Sequence, residues 1–222
     1  MYCSNPDMIT IDVLAADKRI RLTGPRDWQD AGPRLLFWWQ PTTAAVALAS
    51  HVLGLGSLAG RRVLDVGCGL GLTGIAAGLA GASVVFLDCE ATAAEFARTN
   101  ALSNGLTSDQ IDFLVSDWDD VAQIGSFDLV IGAEILYDYF FHDSLLRLFQ
   151  ASIADHGALL LADRKRLCVS RFLGRMRCKG FECKEHVATP FEDGFPVQQI
   201  SIFELKSPQN HLMKSLDTPK SD

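Results

Sequence analysis

The chain has 222 residues, 48% of them apolar and 21% charged, with a formal net charge of −7. That length suits one α/β domain, the apolar fraction can fill a sizeable core, and the balance of the two excludes general disorder. The negative balance argues against a nucleic-acid binder that works by overall charge.

Segments 9–14 and 19–23 favour extended structure and predict a short N-terminal hairpin. A polar loop over 25–33 follows, then Phe37-Trp38-Trp39-Gln40-Pro41 and an apolar helix over about 44–53, with Thr42 or Thr43 as its cap. From Arg61 a regular alternation begins. It predicts a strand at 62–66, a small apolar helix at 72–79 that contains Gly74 and Gly78, and a strand at 83–87. A helix at 90–104 stops at Asn104-Gly105. Strands at 111–115 and 127–131, a helix at 144–153 and a strand at 157–162 come next. A basic helix at 169–179 and strands at 181–187 and 197–205 close the series. The polar tail 206–222 is expected to be flexible.

Strands that alternate with helices predict an α/β fold, a seven-stranded and mostly parallel sheet with helices on both faces. The connection 188–196 holds no helix, so the last strand should run antiparallel. Neither a repeat nor a linker is visible. A single domain over 1–222 is expected, with 1–36 as an N-terminal extension.

Six cysteines lie at positions 3, 68, 89, 168, 178 and 183, none in C-x-x-C spacing and none with a histidine placed to complete a zinc site. No metal is expected. Reduced thiols in the cytoplasm are the expectation. Residues 1–18 show no apolar stretch after a basic start. The longest apolar run, 44–58, is broken by His51, Gly54 and Gly56, so no membrane span is expected.

The turn Asp65-Val66-Gly67-Cys68-Gly69-Leu70-Gly71 ends the first strand of the alternation. In open α/β sheets, ligands sit beyond the carboxyl ends of the strands. Glycines there allow positive φ and close backbone approach, and the next helix offers free N–H groups. Gly69-Leu70-Gly71-Leu72-Thr73-Gly74 also fits the dinucleotide spacing G-x-G-x-x-G, with Asp88 where a ribose-binding acid would fall. A nicotinamide-dinucleotide site therefore stays open on spacing alone. Against it, Asp65 is placed to meet an ammonium group, and no Tyr-x-x-x-Lys pair occurs anywhere in the chain. Cys68 reads as a small residue in the turn rather than a nucleophile.

Val63-Leu64-Asp65-Val66-Gly67-Cys68-Gly69-Leu70-Gly71 resembles motif I of class I, seven-β-strand S-adenosylmethionine-dependent methyltransferases. The tryptophan pair ahead of the first helix, Asp117-Trp118 after the third strand and Gly132-Ala133-Glu134-Ile135-Leu136-Tyr137 after the fourth are similar to the protein-lysine methyltransferase group called family 16. The resemblance implies a Rossmann-like sheet and S-adenosyl-L-methionine as cofactor. It also implies roles. Gly67 and Gly69 would line the methionine part, Asp88 would take the ribose hydroxyls, and Trp118 would pack on the adenine with Ala133 beside it. Trp39, or its neighbour Trp38, would reach the cofactor from the N-terminal side. Glu134 and Tyr137 would face the acceptor, with Glu134 orienting a lysine head.

Segment 164–184 carries eight basic residues (Arg164, Lys165, Arg166, Arg171, Arg175, Arg177, Lys179 and Lys184) against one acid, Glu182. It starts at the substrate rim. Two readings stand, a solvated helix face and a docking surface for an acidic partner. The acceptor read from the sequence is a protein lysine, with a small-molecule amine or phenol as the alternative. RNA is disfavoured because no Asn-Pro-Pro-Tyr-type tetrapeptide follows the fourth strand.

Overall fold

The computed structural model describes residues 8–26, 40–120, 124–188 and 199–207. β1 (Met8–Ala15) and β2 (Lys18–Pro25) pair antiparallel as a two-stranded sheet of their own. Alternation explains the hairpin. Val13, Ala15, Ile20 and Leu22 turn inward and are buried, while Asp12 turns out to Arg19 and Arg21.

α1 (Thr43–Gly54) starts at Thr42, whose hydroxyl accepts from the Ala45 N–H at 3.1 Å. That bond satisfies one of the orphan donors of the first turn. The alternation then follows as β3 (Arg62–Val66), α2 (Leu72–Leu79), β4 (Ser83–Asp88), α3 (Ala91–Ser103), β5 (Ile111–Val115) and β6 (Phe127–Ala133). A single 3-10 turn, Tyr139–Phe141, leads into α4 (His142–Ser152). β7 (Ile153–Arg164), α5 (Leu167–Cys178), β8 (Glu182–Ala188) and β9 (Ile200–Lys206) complete the order.

The large sheet has seven strands in the order β5-β4-β3-β6-β7-β9-β8. β5, β4, β3, β6 and β7 are parallel, and β9 runs antiparallel between β7 and β8. The expected antiparallel last strand is therefore observed. The central strands are buried on both faces, as parallel strands are. On one face Val63, Phe86, Ile131 and Leu160 pack under α1, α2 and α3. On the other, Leu64, Leu87, Val130 and Leu161 pack under α4 and α5. Phe86, Phe127, Phe149 and Phe172 are fully buried, and each such side chain contributes roughly 2–3 kcal/mol of transfer free energy.

The boundaries differ from the sequence reading by a few residues, most of all between the fourth helix and the next strand. The helix expected to reach 153 ends at Ser152, and the strand expected from 157 begins at Ile153. The polar residues Asp155 and His156 hide this part of the strand. Phe127 pairs with Ile153 but Leu129 with Ala158, so the register shifts there. Gly157 makes the shift possible, because a Cβ at that position would lie 2.8 Å from the Phe127 carbonyl oxygen. Most of the 25–33 loop, Trp38, Trp39, most of the 188–196 connection and residues 208–222 of the tail lie outside the described residues. Among the described residues no helix is long and apolar enough to cross a membrane.

Candidate active site

The carboxyl ends of β3, β4, β5, β6 and β7 gather the site residues. β3 ends at Val66 and the chain enters the glycine turn, where Gly67, Gly69 and Gly71 all have positive φ. Backbone and buried carboxylates pin this turn. The N–H groups of Gly67 and Cys68 both donate to the Leu87 carbonyl, at 2.8 and 3.0 Å, and Gly71 donates to the Cys68 carbonyl at 2.8 Å. Gly69 donates to Oδ2 of Asp88 at 2.9 Å, and the other Asp88 oxygen accepts from Glu90 N–H at 3.1 Å. Burial pushes the Asp88 carboxyl above its usual range, and the N–H donors partly counter the shift.

Asp65 sits beneath the turn, 1% exposed. Its two oxygens accept from the Thr73 hydroxyl at 2.7 Å and the Gly74 N–H at 2.8 Å. Burial pushes its carboxyl up to about 7, against the pull of those two donors. The sequence placed Asp65 against an ammonium group. In the structure its carboxylate is turned inward and braces the first turn of α2, because the strand side it occupies faces that helix. Gly74 is glycine because the brace is tight. A Cβ there would lie 2.3 Å from the Phe86 ring and 2.9 Å from Asp65 Oδ2. The Cys68 thiol is buried and pushed well above its usual range, first by burial and then by Asp88 and Asp65, so it stays protonated.

Trp118 lies across from the turn. A Cβ on Gly67 would approach its ring to 3.7 Å and Ile135 Cγ2 to 2.8 Å. Phe141 meets the Trp118 ring edge to face at 5.1 Å, and Tyr137 meets Phe141 at 5.9 Å. Ala133 closes the same cleft as Gly67, Cys68 and Gly69. Gln40, Pro41 and Thr42, at the start of α1, line it too. The sequence reading gives Thr42 a capping role and Gln40 and Pro41 none. Its position after the tryptophans was the available signal.

Glu134 follows β6 with φ 56, in the left-handed region, and its N–H donates to the Ala162 carbonyl at 2.8 Å. Its carboxylate takes two parallel bonds from Arg164, both 2.8 Å, with Arg166 at 3.9 Å. The sequence assigned Glu134 to a lysine head, and the structure pairs it with a guanidinium from the neighbouring strand. Arg166 in turn holds Asp163, which is 1% exposed and pushed up to about 6 by burial. Tyr137 is exposed at the rim, and partial burial raises its phenol, which stays neutral.

The basic segment is more balanced than its composition suggested. Arg164 pairs with Glu134, Lys165 with Glu185, Arg166 with Asp163 and Arg175 with Asp143. Arg171 stands over the Tyr139 ring at 5.4 Å. Much of the charge is thus answered within the fold.

A parallel sheet reversed at one end by β9, a glycine turn pinned at the switch point and an aromatic rim beyond β6 define an S-adenosylmethionine-dependent methyltransferase. The chain belongs to the methyltransferase domain family, which it matches over residues 57–211. It is 31% identical over 191 residues to the protein N-lysine methyltransferase METTL21A of Danio rerio, across 83% of this chain and 78% of that protein. It is 28% identical over 183 residues to the ubiquinone biosynthesis O-methyltransferase of Bordetella avium, across 74% and 75%. The crystal structure of magnesium protoporphyrin IX methyltransferase from Synechocystis PCC 6803 with bound SAM shares the fold. Its TM-score is 0.59 at 20% identity, over 79% of this chain and 86% of that one.

Proposed function

We propose that this chain transfers a methyl group from S-adenosylmethionine to the side-chain amine of a lysine in an acceptor protein. The observation that carries the reading is the pair Glu134 and Tyr137 beyond β6, beside the glycine turn, in a chain similar to a protein N-lysine methyltransferase over most of both lengths. Gly67 and Gly69 bring backbone up to the methionine part, with Cys68 and Ala133 as small walls. Asp88 takes the ribose hydroxyls, since its carboxylate keeps acceptor capacity beyond the backbone N–H groups it already binds. Trp118 offers its face to the adenine, and Trp39, or its neighbour Trp38, is the further tryptophan that the family resemblance assigns to the cofactor. Asp65 serves the cofactor indirectly, by holding Thr73 and Gly74.

When bound, the cofactor supplies a methyl group already activated by its sulfonium. The protein has to hold the amine in line, strip it of water and let it lose a proton. A lysine of pKa ~10.4 costs about 4–5 kcal/mol to deprotonate at neutral pH. A lone carboxylate beside it would raise that cost. Glu134 is not lone. The Arg164 guanidinium bonds both of its oxygens, so the pair can orient an amine without adding a net negative charge. Tyr137 and Phe141 give apolar walls that favour the neutral amine.

Full-length protein incubated with labelled cofactor and a cell lysate, followed by mass spectrometry, tests the reading. Label on a protein lysine supports it. Label confined to small molecules overturns it in favour of a small-molecule amine or phenol, the second reading, which the similarity to an O-methyltransferase favours. A cytoplasmic location and a single domain over 1–222 go with the proposal, supported by the cysteine pattern and the one seven-stranded sheet to which β3–β9 all belong.

A further inference from the structure

The outer edge of β2 is closed by side chains instead of a strand. Thr23 N–H donates to Asn100 Oδ1 at 2.8 Å, and Asn100 Nδ2 returns a bond to the Thr23 carbonyl at 3.0 Å. Two residues away, Arg21 N–H donates to Asn104 Oδ1 at 2.9 Å and its carbonyl accepts from Asn104 Nδ2 at 2.7 Å. The repeat has a geometric cause. Four residues of helix rise about 6 Å, and two residues of strand rise about 6.7 Å, so carboxamides at i and i+4 of α3 meet alternate residues of β2. Each carboxamide stands in for a peptide group and satisfies an exposed edge.

Asn100 differs from Asn104 in where its second Nδ2 bond goes. Asn104 donates to the Asn100 carbonyl at 2.8 Å, whereas Asn100 donates to the Leu70 carbonyl, inside the glycine turn, at 3.0 Å. The side chain is 1% exposed and all three of its bonds run to backbone. α3 lies close to the turn at this point, since a Cβ on Gly71 would come within 3.2 Å of Ala97 Cβ. Fixing the Leu70 carbonyl fixes the peptide between Leu70 and Gly71, and with it the directions of the neighbouring N–H groups.

We propose that Asn100 is a positioning residue for the cofactor turn, and that through it the β1–β2 hairpin and the cofactor site reinforce each other. The proposal rests on the glycine turn being the cofactor cradle. Linkage is reciprocal, so a hairpin that steadies the turn must itself be steadied when the turn is occupied.

The test uses full-length protein and S-adenosylhomocysteine as the probe. Titration calorimetry should show the Kd rising about tenfold in Asn100→Ala, where a buried carbonyl loses its donor. Asn104→Ala breaks the same kind of hairpin contact, together with a bond to the Asn100 carbonyl, but leaves the Asn100 side chain on Leu70, and its Kd should stay within about twofold of wild type. In wild type, the probe should slow amide hydrogen exchange across 18–25. If Asn100→Ala does not fold, this last measurement decides alone. Equal Kd values for wild type and Asn100→Ala, or hairpin exchange indifferent to the probe, overturn the proposal. Wild-type protein that fails to bind the probe would instead overturn the cofactor assignment itself.

Discussion

Around the glycine turn, each tether runs to a backbone group or to a side chain that is almost wholly buried, whereas the rim from Glu134 to Phe141 is held by ion pairs and ring edges near solvent. Asp65, Asp88 and Asn100 grip the first region from three elements. In the second, Phe140 is 78% exposed, and Tyr137 and Tyr139 are exposed with it. The difference teaches which end of the site is built to be invariant. The glycine turn, the proposed cofactor end, is preformed, because its geometry is fixed by buried bonds. The proposed acceptor end exposes large rings where a second surface can meet them. Methyltransferases with different acceptors can share the first and differ in the second.

The strongest way to break this comparison is Gly74→Ala. The added methyl would meet the Phe86 ring at 2.3 Å, and displacing that ring should cost about 1–3 kcal/mol and remove S-adenosylhomocysteine binding. A melt and a titration that match wild type would mean the turn is not rigid. Glu134→Gln comes next. It keeps the shape of the side chain but removes the charge that Arg164 holds, and transfer should slow on the order of 10²-fold through loss of alignment. Cofactor affinity should stay within about twofold. Unchanged turnover would take Glu134 out of the reaction.

A smaller effect follows from Asp65. Its carboxyl is raised from 3.8 to about 7 in the folded protein, so the folded state binds this proton more tightly than the unfolded one. Its contribution to stability is therefore complete below about pH 4, declines as pH rises toward about 7, and then levels off. Asp163, raised to about 6, acts in the same direction. Urea unfolding at about pH 5 and about pH 8 should show wild type losing more stability between the two than Asp65→Asn. Equal losses would show that the brace does not titrate there. Least affected should be Arg175→Ala, which breaks a solvent-exposed pair with Asp143 and should cost under about 1 kcal/mol in a denaturant melt. A larger loss would make the basic helix face part of the framework.

Much of the framework was legible in the residues because it depends on local patterns. Val63 to Val66 reads as a strand buried on both sides, Asn104-Gly105 as a helix stop, and the three glycines as a turn that needs positive φ. Long-range pairing was not legible. Glu134 and Arg164 are 30 residues apart and meet because β6 and β7 are parallel neighbours. Read along the chain, Arg164 joined a run of positive charge, and only the sheet order turns that run into a set of internal pairs. Asn100 looked like one polar residue in a helix, since nothing local reveals that an edge strand 77 positions away needs its carboxamide. Trp118 beside the turn was anticipated through the family resemblance, and its neighbour Phe141 was not.

The placement of β9 bears on how the molecule is made. β8 touches the sheet only through β9, and β9 is the later of the two to be synthesised. Until residues 200–206 are available, β8 has no partner strand and the far edge of β7 stands open. The five parallel strands and their helices can assemble first, so the glycine turn can form before the sheet is complete. The last two strands then arrive as one hairpin, and β9, the later to emerge, closes the open edge of β7 and brings β8 into the sheet.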